Sequence, residues 1–481
     1  MSRLLIRNVS VLVVPEQGEC RVDEAQDIHI QDDRIVAITW TSSPSASASA
    51  SPSAFRAPSS APVPGTGFVY EGSEVVDGRG LLAVPGLVNA HTHSPMVMMR
   101  GAAEDLAIED WFNQRIWPME VNLTPERVRV GARLACAEML LGGVTTFVDH
   151  YFHADQIAAA AIESGIRADL APTFFSTSTS STSSSTSSTS SATSASAEAF
   201  EVARGLRGLH PRVTASLGPH ATYTVSEGDL LRTAEVARAE GFRIHLHAAE
   251  TDEQTRASLE KSGVTPIGVL ERTGVLDAGV LVAHGCGIRP EDLPILERYA
   301  GRTAVASCPK VYLKLAMGEV TPVKGLVSAG VSVGVGTDGA AVHNTLDVWE
   351  AIRMVALTQK QRENDAEWMT LSDTLRLATR GSAAAAGLTG RVGVLEPGYQ
   401  ADIALVDLSA PHNQPLHDPR AALVYSVRAA DVVTVLVAGQ VVVRDRQLTT
   451  MDLQEVLADA RSLAHTLVDL SSGGAIQHYE P

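Results

Sequence analysis

His91 and His93 stand one residue apart in AVPGLVNAHTHSPMVMMRG, at the end of a short apolar run. In a strand, residues i and i+2 face the same side, so an HxH pair at a strand's C-terminal end presents two imidazoles to one point. The partners follow in order. RIHLHAAET carries His247 and Glu250, VLVAHGCGI carries His284, and VSVGVGTDGA carries Asp338, each at the end of an apolar, β-branched run. Three neutral imidazoles and one carboxylate suit zinc, with iron(II) and manganese as rivals, and leave a coordination position open for water. A metal lowers the pKa of such a water toward ~7, so hydrolytic attack at neutral pH is the chemistry expected. No lysine stands where a carbamylated bridging ligand would be expected, which predicts one metal per chain. HLH also puts His245 on the face that carries His247.

These residues need a scaffold that brings distant strand ends to one mouth. Eight apolar runs can be counted: LVNAHTH, TTFVDHYF, IRADLAPTFF, VTASLGPHA, FRIHLHAAE, VLVAHGCGI, TAVASCPKV and VSVGVGTDG. Segments between them, such as PERVRVGARLACAEMLLGG and EGDLLRTAEVARAEG, repeat apolar residues at three-to-four spacing and end on glycine, the pattern of a helix and its stop. Eight strand-helix units predict an α/β fold, a (β/α)8 TIM barrel. The candidate ligands all fall at the C-terminal ends of strands, where that fold places its chemistry.

The flanks differ. LLIRNVSVLVV, DIHIQD and RIVAITW are short alternating runs of an antiparallel β unit, and GYQADIALVDL with VVTVLVAGQVVVRDR returns to the same pattern near the other end. Neither end has enough strands to close a core, so a composite β-sandwich built from both is expected. The expected division is 1–82 for the first part of the sandwich, 83–392 for the barrel, 393–447 for the second part, and 448–481 for a closing helix and tail. Two tracts interrupt it: a Ser/Ala/Pro stretch at about 41–66 and a Ser/Thr-rich stretch at about 176–197. Both hold too little bulky apolar surface to offset the entropy of ordering them and are expected as solvated insertions.

Composition removes several classes. A formal net charge of −17 with no offsetting basic run disfavours nucleic acid and anionic membranes, which leaves a small molecule as the expected partner. Cys20, Cys136, Cys286 and Cys308 show no CxxC spacing, so neither a disulfide framework nor a thiolate metal knot is expected. MSRLLIRNVSVLV lacks the long apolar core and cleavage site of a signal peptide, and no uncharged run is long enough to span a bilayer. A cytoplasmic enzyme is the expectation.

HTHSPMVMMRGAAEDLAIEDW, GPHATY, HAAET, AHG and GTDGAAVHNTLDVWEAIRMVALTQK together resemble the amidohydrolase superfamily, and within it the methylthioadenosine and S-adenosylhomocysteine deaminases. Chlorotriazine hydrolases and guanine-type and cytosine-type deaminases are its cousins. The resemblance covers nearly the whole chain outside the two Ser-rich tracts. It implies that His91, His93, His247 and Asp338 bind the metal, one zinc per subunit, and that Glu250, three residues after His247, shuttles the proton. His245 lacks that offset and is expected one layer deeper. His284 would polarise the water or steady the oxyanion, Glu120 in WPME would accept from ribose hydroxyls, and His220 in GPH would touch the nucleoside. Attack on an aminated ring carbon costs aromaticity in the transition state. An acid that protonates the ring nitrogen offsets part of that cost, help worth ~10²–10⁴-fold, and Glu250 is the candidate, after Asp338 or Glu250 itself has taken the water proton.

Two departures bear on the substrate. After the seventh strand the deaminases carry an SHNPxSNxKL-like segment, where this chain has SCPKVYLKLAMG, with Cys308 in place of a histidine and Pro309 in place of an asparagine. A barrel-strand cysteine of this kind is expected to be packed and inert. The Ser/Thr tract contains no arginine, whereas the family often supplies arginines there to the substrate's distal group. The expected function is deamination of 5'-methylthioadenosine, S-adenosylhomocysteine, adenosine or 5'-deoxyadenosine to the inosine analogue and ammonia. S-adenosylhomocysteine loses its clamp. The alternatives are a hydrolase of another amino- or chloro-substituted heterocycle (triazine, guanine, pterin) or of a cyclic amide, and a non-catalytic binding protein. By analogy a homodimer or homotetramer is expected.

Overall fold

A computed structural model describes residues 2–41, 74–176 and 195–480 of the chain. The two low-complexity tracts expected as insertions fall for the most part outside the described residues.

The eight apolar runs form the eight strand positions of a closed parallel barrel. In chain order these are Leu87–Thr92, Val144–Tyr151, Arg167–Phe174, Val213–Ala215 with Gly218–Pro219, Ile244–Ala248, Val280–His284, Thr303–Ser307 and Ser332–Val335. The first four pair in order and so do the last four, all parallel. Parallel bridges from Leu217 to Ile244 and from Ala221 to His247 join the two halves. At the other seam, Thr337 N and Asp338 N donate to His91 O at 3.2 and 3.0 Å. Strands buried on both faces read as unbroken apolar runs, which is why all eight were visible in the sequence.

The closing seam is tight. A Cβ on Gly336 would lie 2.9 Å from the His91 main chain and from Cys308 Sγ, so only glycine lets the last strand approach the first this closely. The intervening helices carry the expected punctuation. Pro125–Leu141 starts with Thr124 accepting from Arg127 N and stops at Gly142. Glu227–Glu240 starts with Ser226 accepting from Asp229 N and stops at Gly241, φ 70°.

Strands from both chain ends hydrogen-bond into one nine-stranded mixed sheet beside the barrel. Its junction is the antiparallel pair Leu81–Pro85 and Ile403–Asp407, with Ala83 opposite Leu405. Ile6, Val11 and Ile28 from one end share a separate apolar core with Ile403, Leu405 and Leu436 from the other. The composite β unit is therefore held by both main-chain pairing and a common core. The helix Leu453–Leu467 follows, capped by Asp452, and packs on Pro125–Leu141. No helix among the described residues is long and apolar enough to cross a membrane.

Candidate active site

The C-terminal ends of the barrel strands converge on one group. The metal-competent nitrogens of His91, His93 and His247 lie within 4.8 Å of one another, and so do ligand atoms of His91, His284 and Asp338. His284 and Asp338 leave their strands with φ of 74° and 61°. Non-glycine residues in the left-handed region are uncommon and cluster at functional sites. Here the turn sits at the point where each side chain enters the cluster.

Hydrogen bonding fixes the ring orientations. His93 Nδ1 donates to His150 O at 2.5 Å and His247 Nδ1 donates to His220 O at 2.8 Å, since a carbonyl can only accept. As neutral rings each would thereby use its one proton, and the two Nε2 atoms, which face each other at 3.3 Å, would both be free to bind a cation. Asp338 Oδ1 lies 3.2 Å from His93 Nε2 and 3.6 Å from His91 Nε2, which is buried without a hydrogen-bond partner. Acceptors this close in a buried site need a cation among them. Burial works against a charged His93, yet Asp338 outweighs it and raises the ring to about 9, so a proton takes the cationic role when no metal does. Burial drives His91 the other way, to about 3. Asp338 is held well below the usual carboxylate range: the hydrogen bonds and charge of the histidines outweigh its desolvation. Two triads sharing His91, one of three imidazoles and one that adds Asp338, fit a borderline divalent metal, with Nδ1 of two rings already oriented by carbonyls.

His245 lies behind this cluster. Its Nε2 is 2.9 Å from His91 Nδ1, and it does not line the adjoining pocket.

Glu250 and His284 flank the cluster on the pocket side. Glu250 is 5% exposed, and its Oε2 accepts from Gln254 Nε2 at 3.1 Å and Tyr223 Oη at 3.4 Å. His284 Nε2 sits 3.9 Å from both Glu250 Oε1 and Asp338 Oδ2, between two carboxylates. The carbonyl of His284 accepts from Thr321 Oγ1 at 2.7 Å, which fixes its turn.

The pocket in front of these groups is lined by His93, His220, His247, Glu250, His284 and Asp338 on one side. Trp111, Phe112, Trp117, Tyr151, Phe175 and Tyr223 form much of the remainder, and no lysine or arginine appears among the described lining residues. Glu120 lines the pocket as a buried group, accepting from Tyr151 Oη at 2.7 Å, and burial raises it to about 7. His220 lines it too, with Nδ1 2.8 Å from Thr224 Oγ1, and burial lowers it to about 3. Val311 and Leu315, from the altered SCPKVYLKLAMG segment, supply apolar wall. Cys308 is fully buried and burial pushes its thiol up, so it has no thiolate character to offer.

Several pocket residues were not singled out from the sequence. His150 follows an apolar strand run just as the other histidines do, and that signal could have found it: its ring lies 5.0 Å from that of His247 and it lines the pocket. Trp111, Phe112 and Trp117 sit in DWFNQRIWPME, a stretch with two of the chain's five tryptophans just ahead of Glu120, which is a usable signal. Gln254 and Tyr479, which stand behind Glu250 rather than in the pocket lining, carried none.

The sequence profile of the amidohydrolase family matches residues 82–442. Relatives named 5-methylthioadenosine/S-adenosylhomocysteine deaminase include one from Pelotomaculum thermopropionicum, 39% identical over 82% of this chain and 88% of its own length. Another, from Desulforudis audaxviator, is 37% identical over 97% of this chain and 99% of its own. Among solved structures, an adenosine deaminase from Xanthomonas campestris with bound zinc superposes with a TM-score of 0.82 at 31% identity, covering 97% of this chain and 98% of that one. An atrazine chlorohydrolase from Arthrobacter aurescens complexed with zinc superposes with a TM-score of 0.80 at 26% identity, covering 96% and 100%. This chain belongs to the amidohydrolase family.

Proposed function

We propose that this chain is a zinc-dependent aminohydrolase that deaminates adenosine-type nucleosides, with 5'-methylthioadenosine preferred over S-adenosylhomocysteine. The observation that carries the reading is the convergence of bare imidazole nitrogens and Asp338 beside Glu250, at the floor of an aromatic pocket. In this reading His91, His93, His247 and Asp338 hold the metal. When bound, it supplies Lewis-acid activation of water at neutral pH.

The remaining steps belong to the chain. Glu250 takes a proton from the attacking water and delivers it to the ring nitrogen next to the reacting carbon. A C–O bond forms, the C–N bond breaks, and the amino group leaves as ammonia after the second water proton is passed to it. His284, between the carboxylates of Glu250 and Asp338, donates to the oxygen that becomes negative. Glu120 accepts from the ribose hydroxyls, and its burial makes that bond more selective than a solvated one. His220 meets the nucleoside as a neutral ring, which its burial supports.

The preference within the class rests on charge. The amino-acid end of S-adenosylhomocysteine carries a carboxylate, and no described lysine or arginine lines the pocket to receive it. A methylthio group instead suits a wall of Val311, Leu315, Trp111 and Phe112. The test is kcat/KM of the zinc-loaded protein for 5'-methylthioadenosine, S-adenosylhomocysteine, adenosine and atrazine, followed by ultraviolet absorbance with ammonia or chloride assayed in parallel. A hypoxanthine spectrum with matching ammonia, at least about tenfold more efficient for the methylthio substrate, is the expected result. Equal or better use of S-adenosylhomocysteine would remove the charge argument, and dechlorination without nucleoside turnover would replace the proposal.

A further inference from the structure

Beyond the helix Leu453–Leu467 the chain returns to the barrel mouth. Asn122 Nδ2 donates to the carbonyls of Leu467 and Asp469 at 3.1 and 2.6 Å, and Ile476 N donates to Trp117 O at 3.2 Å. The side chain of Asn113 then pairs with the main chain of Tyr479 in both directions. Tyr479 N donates to Asn113 Oδ1 at 2.7 Å, and Asn113 Nδ2 donates to Tyr479 O at 3.2 Å. These bonds set the Tyr479 ring behind the aromatic wall, 1% exposed, stacked on Phe112 at 5.1 Å and edge-on to Tyr223 at 5.4 Å.

The Tyr479 hydroxyl reaches Gln254, whose amide is fully committed. Gln254 Oε1 accepts from Glu250 N at 3.1 Å. Its Nε2 donates to Glu250 Oε2 at 3.1 Å and to Tyr479 Oη at 3.2 Å. An amide NH2 has two protons, so both are placed, and the amide plane is fixed by one bond to the carboxylate and one to the tail. Without the tyrosine oxygen, a buried N–H loses its acceptor, and rotation of the amide to recover one would break the bond that orients Glu250.

We propose that Tyr479 is a positioning residue for Glu250, acting through Gln254, so that the tail is a working part of the site; this rests on the reading of Glu250 as proton carrier. Tyr479 does not line the pocket itself. It acts by holding a carboxylate that does.

The test uses the full zinc-loaded chain as wild type, Tyr479→Phe, Gln254→Ala and the double variant. Tyr479→Phe keeps the ring stack and removes one hydrogen bond, so kcat for 5'-methylthioadenosine should fall about fivefold with KM held within about twofold. In the Gln254→Ala background the same substitution should have no further effect, the signature of a shared relay. Wild-type kcat in Tyr479→Phe, or losses that multiply in the double variant, would overturn the proposal. Hydrogen exchange at the Glu250 amide reads the relay without turnover and should quicken about tenfold in Tyr479→Phe; unchanged exchange would also overturn it. A wild type that releases no ammonia from any nucleoside would end the functional reading, and the exchange measurement would still decide the relay.

Discussion

The metal-competent cluster and the pocket wall in front of it are built on opposite plans. Every cluster residue sits on or just after a barrel strand, and main-chain bonds such as Asp338 N to His91 O tie neighbouring strand ends together. The wall takes Tyr151 and Phe175 from barrel strand ends, but most of its other aromatic and apolar groups come from the segment around Trp111–Glu120, from Val311 and Leu315 and from Tyr223, with Tyr479 behind it. The first region is precise because sheet geometry makes it so. The second is held by side-chain bonds between segments as far as 366 residues apart, Asn113 to Tyr479 among them. In barrels of this kind generally, strand ends carry the chemistry while the connecting loops vary.

The sharpest way to break the comparison is to remove a cluster ligand. His91→Ala should abolish stoichiometric zinc and lower kcat by more than about 10⁴-fold, measured by atomic absorption and ammonia release on one sample. Full zinc with full activity would mean the cluster is not the centre. Glu250→Gln should separate the two regions: zinc retained, kcat lower by about 10²–10⁴-fold, with KM little changed. Glu120→Gln acts on the wall alone. It should raise KM for ribosides about tenfold or more, as loss of one hydrogen bond to a charged group does, and leave 2',3'-dideoxyadenosine unaffected. A uniform loss on both substrates would place Glu120 in the chemistry instead. The pH dependence has a definite sign. Burial raises Glu120 to about 7, so in the free enzyme its acceptor charge is present above that pH and lost below it. Riboside KM should therefore rise on acidification through about pH 7, a limb absent from Glu120→Gln.

The same division decided what could be read from the sequence. Eight runs such as VLVAH and TAVAS were visible because buried parallel strands have no polar face, and His91, His247, His284 and Asp338 were visible because each ends such a run. The pairing of Leu81–Pro85 with Ile403–Asp407 was expected as a shared β unit from alternation at both ends, although the residue register was not. Glu120 could be singled out from WPME, but its burial could not. It is buried with its carboxylate bonded to the Tyr151 hydroxyl, a fact of tertiary packing with no local pattern. Gln254 and Tyr479 lie further from legibility. A glutamine on an otherwise polar helix and a tyrosine in SSGGAIQHYEP gain their meaning only when the tail crosses the barrel mouth.

The most direct test of the central claim is ammonia release from 5'-methylthioadenosine by protein titrated with zinc from the metal-free form. Activity should rise linearly and level off at one zinc per chain, with an inosine-type product equal to the ammonia formed. Saturation at two equivalents, or a zinc-loaded protein that releases no ammonia, would contradict the account.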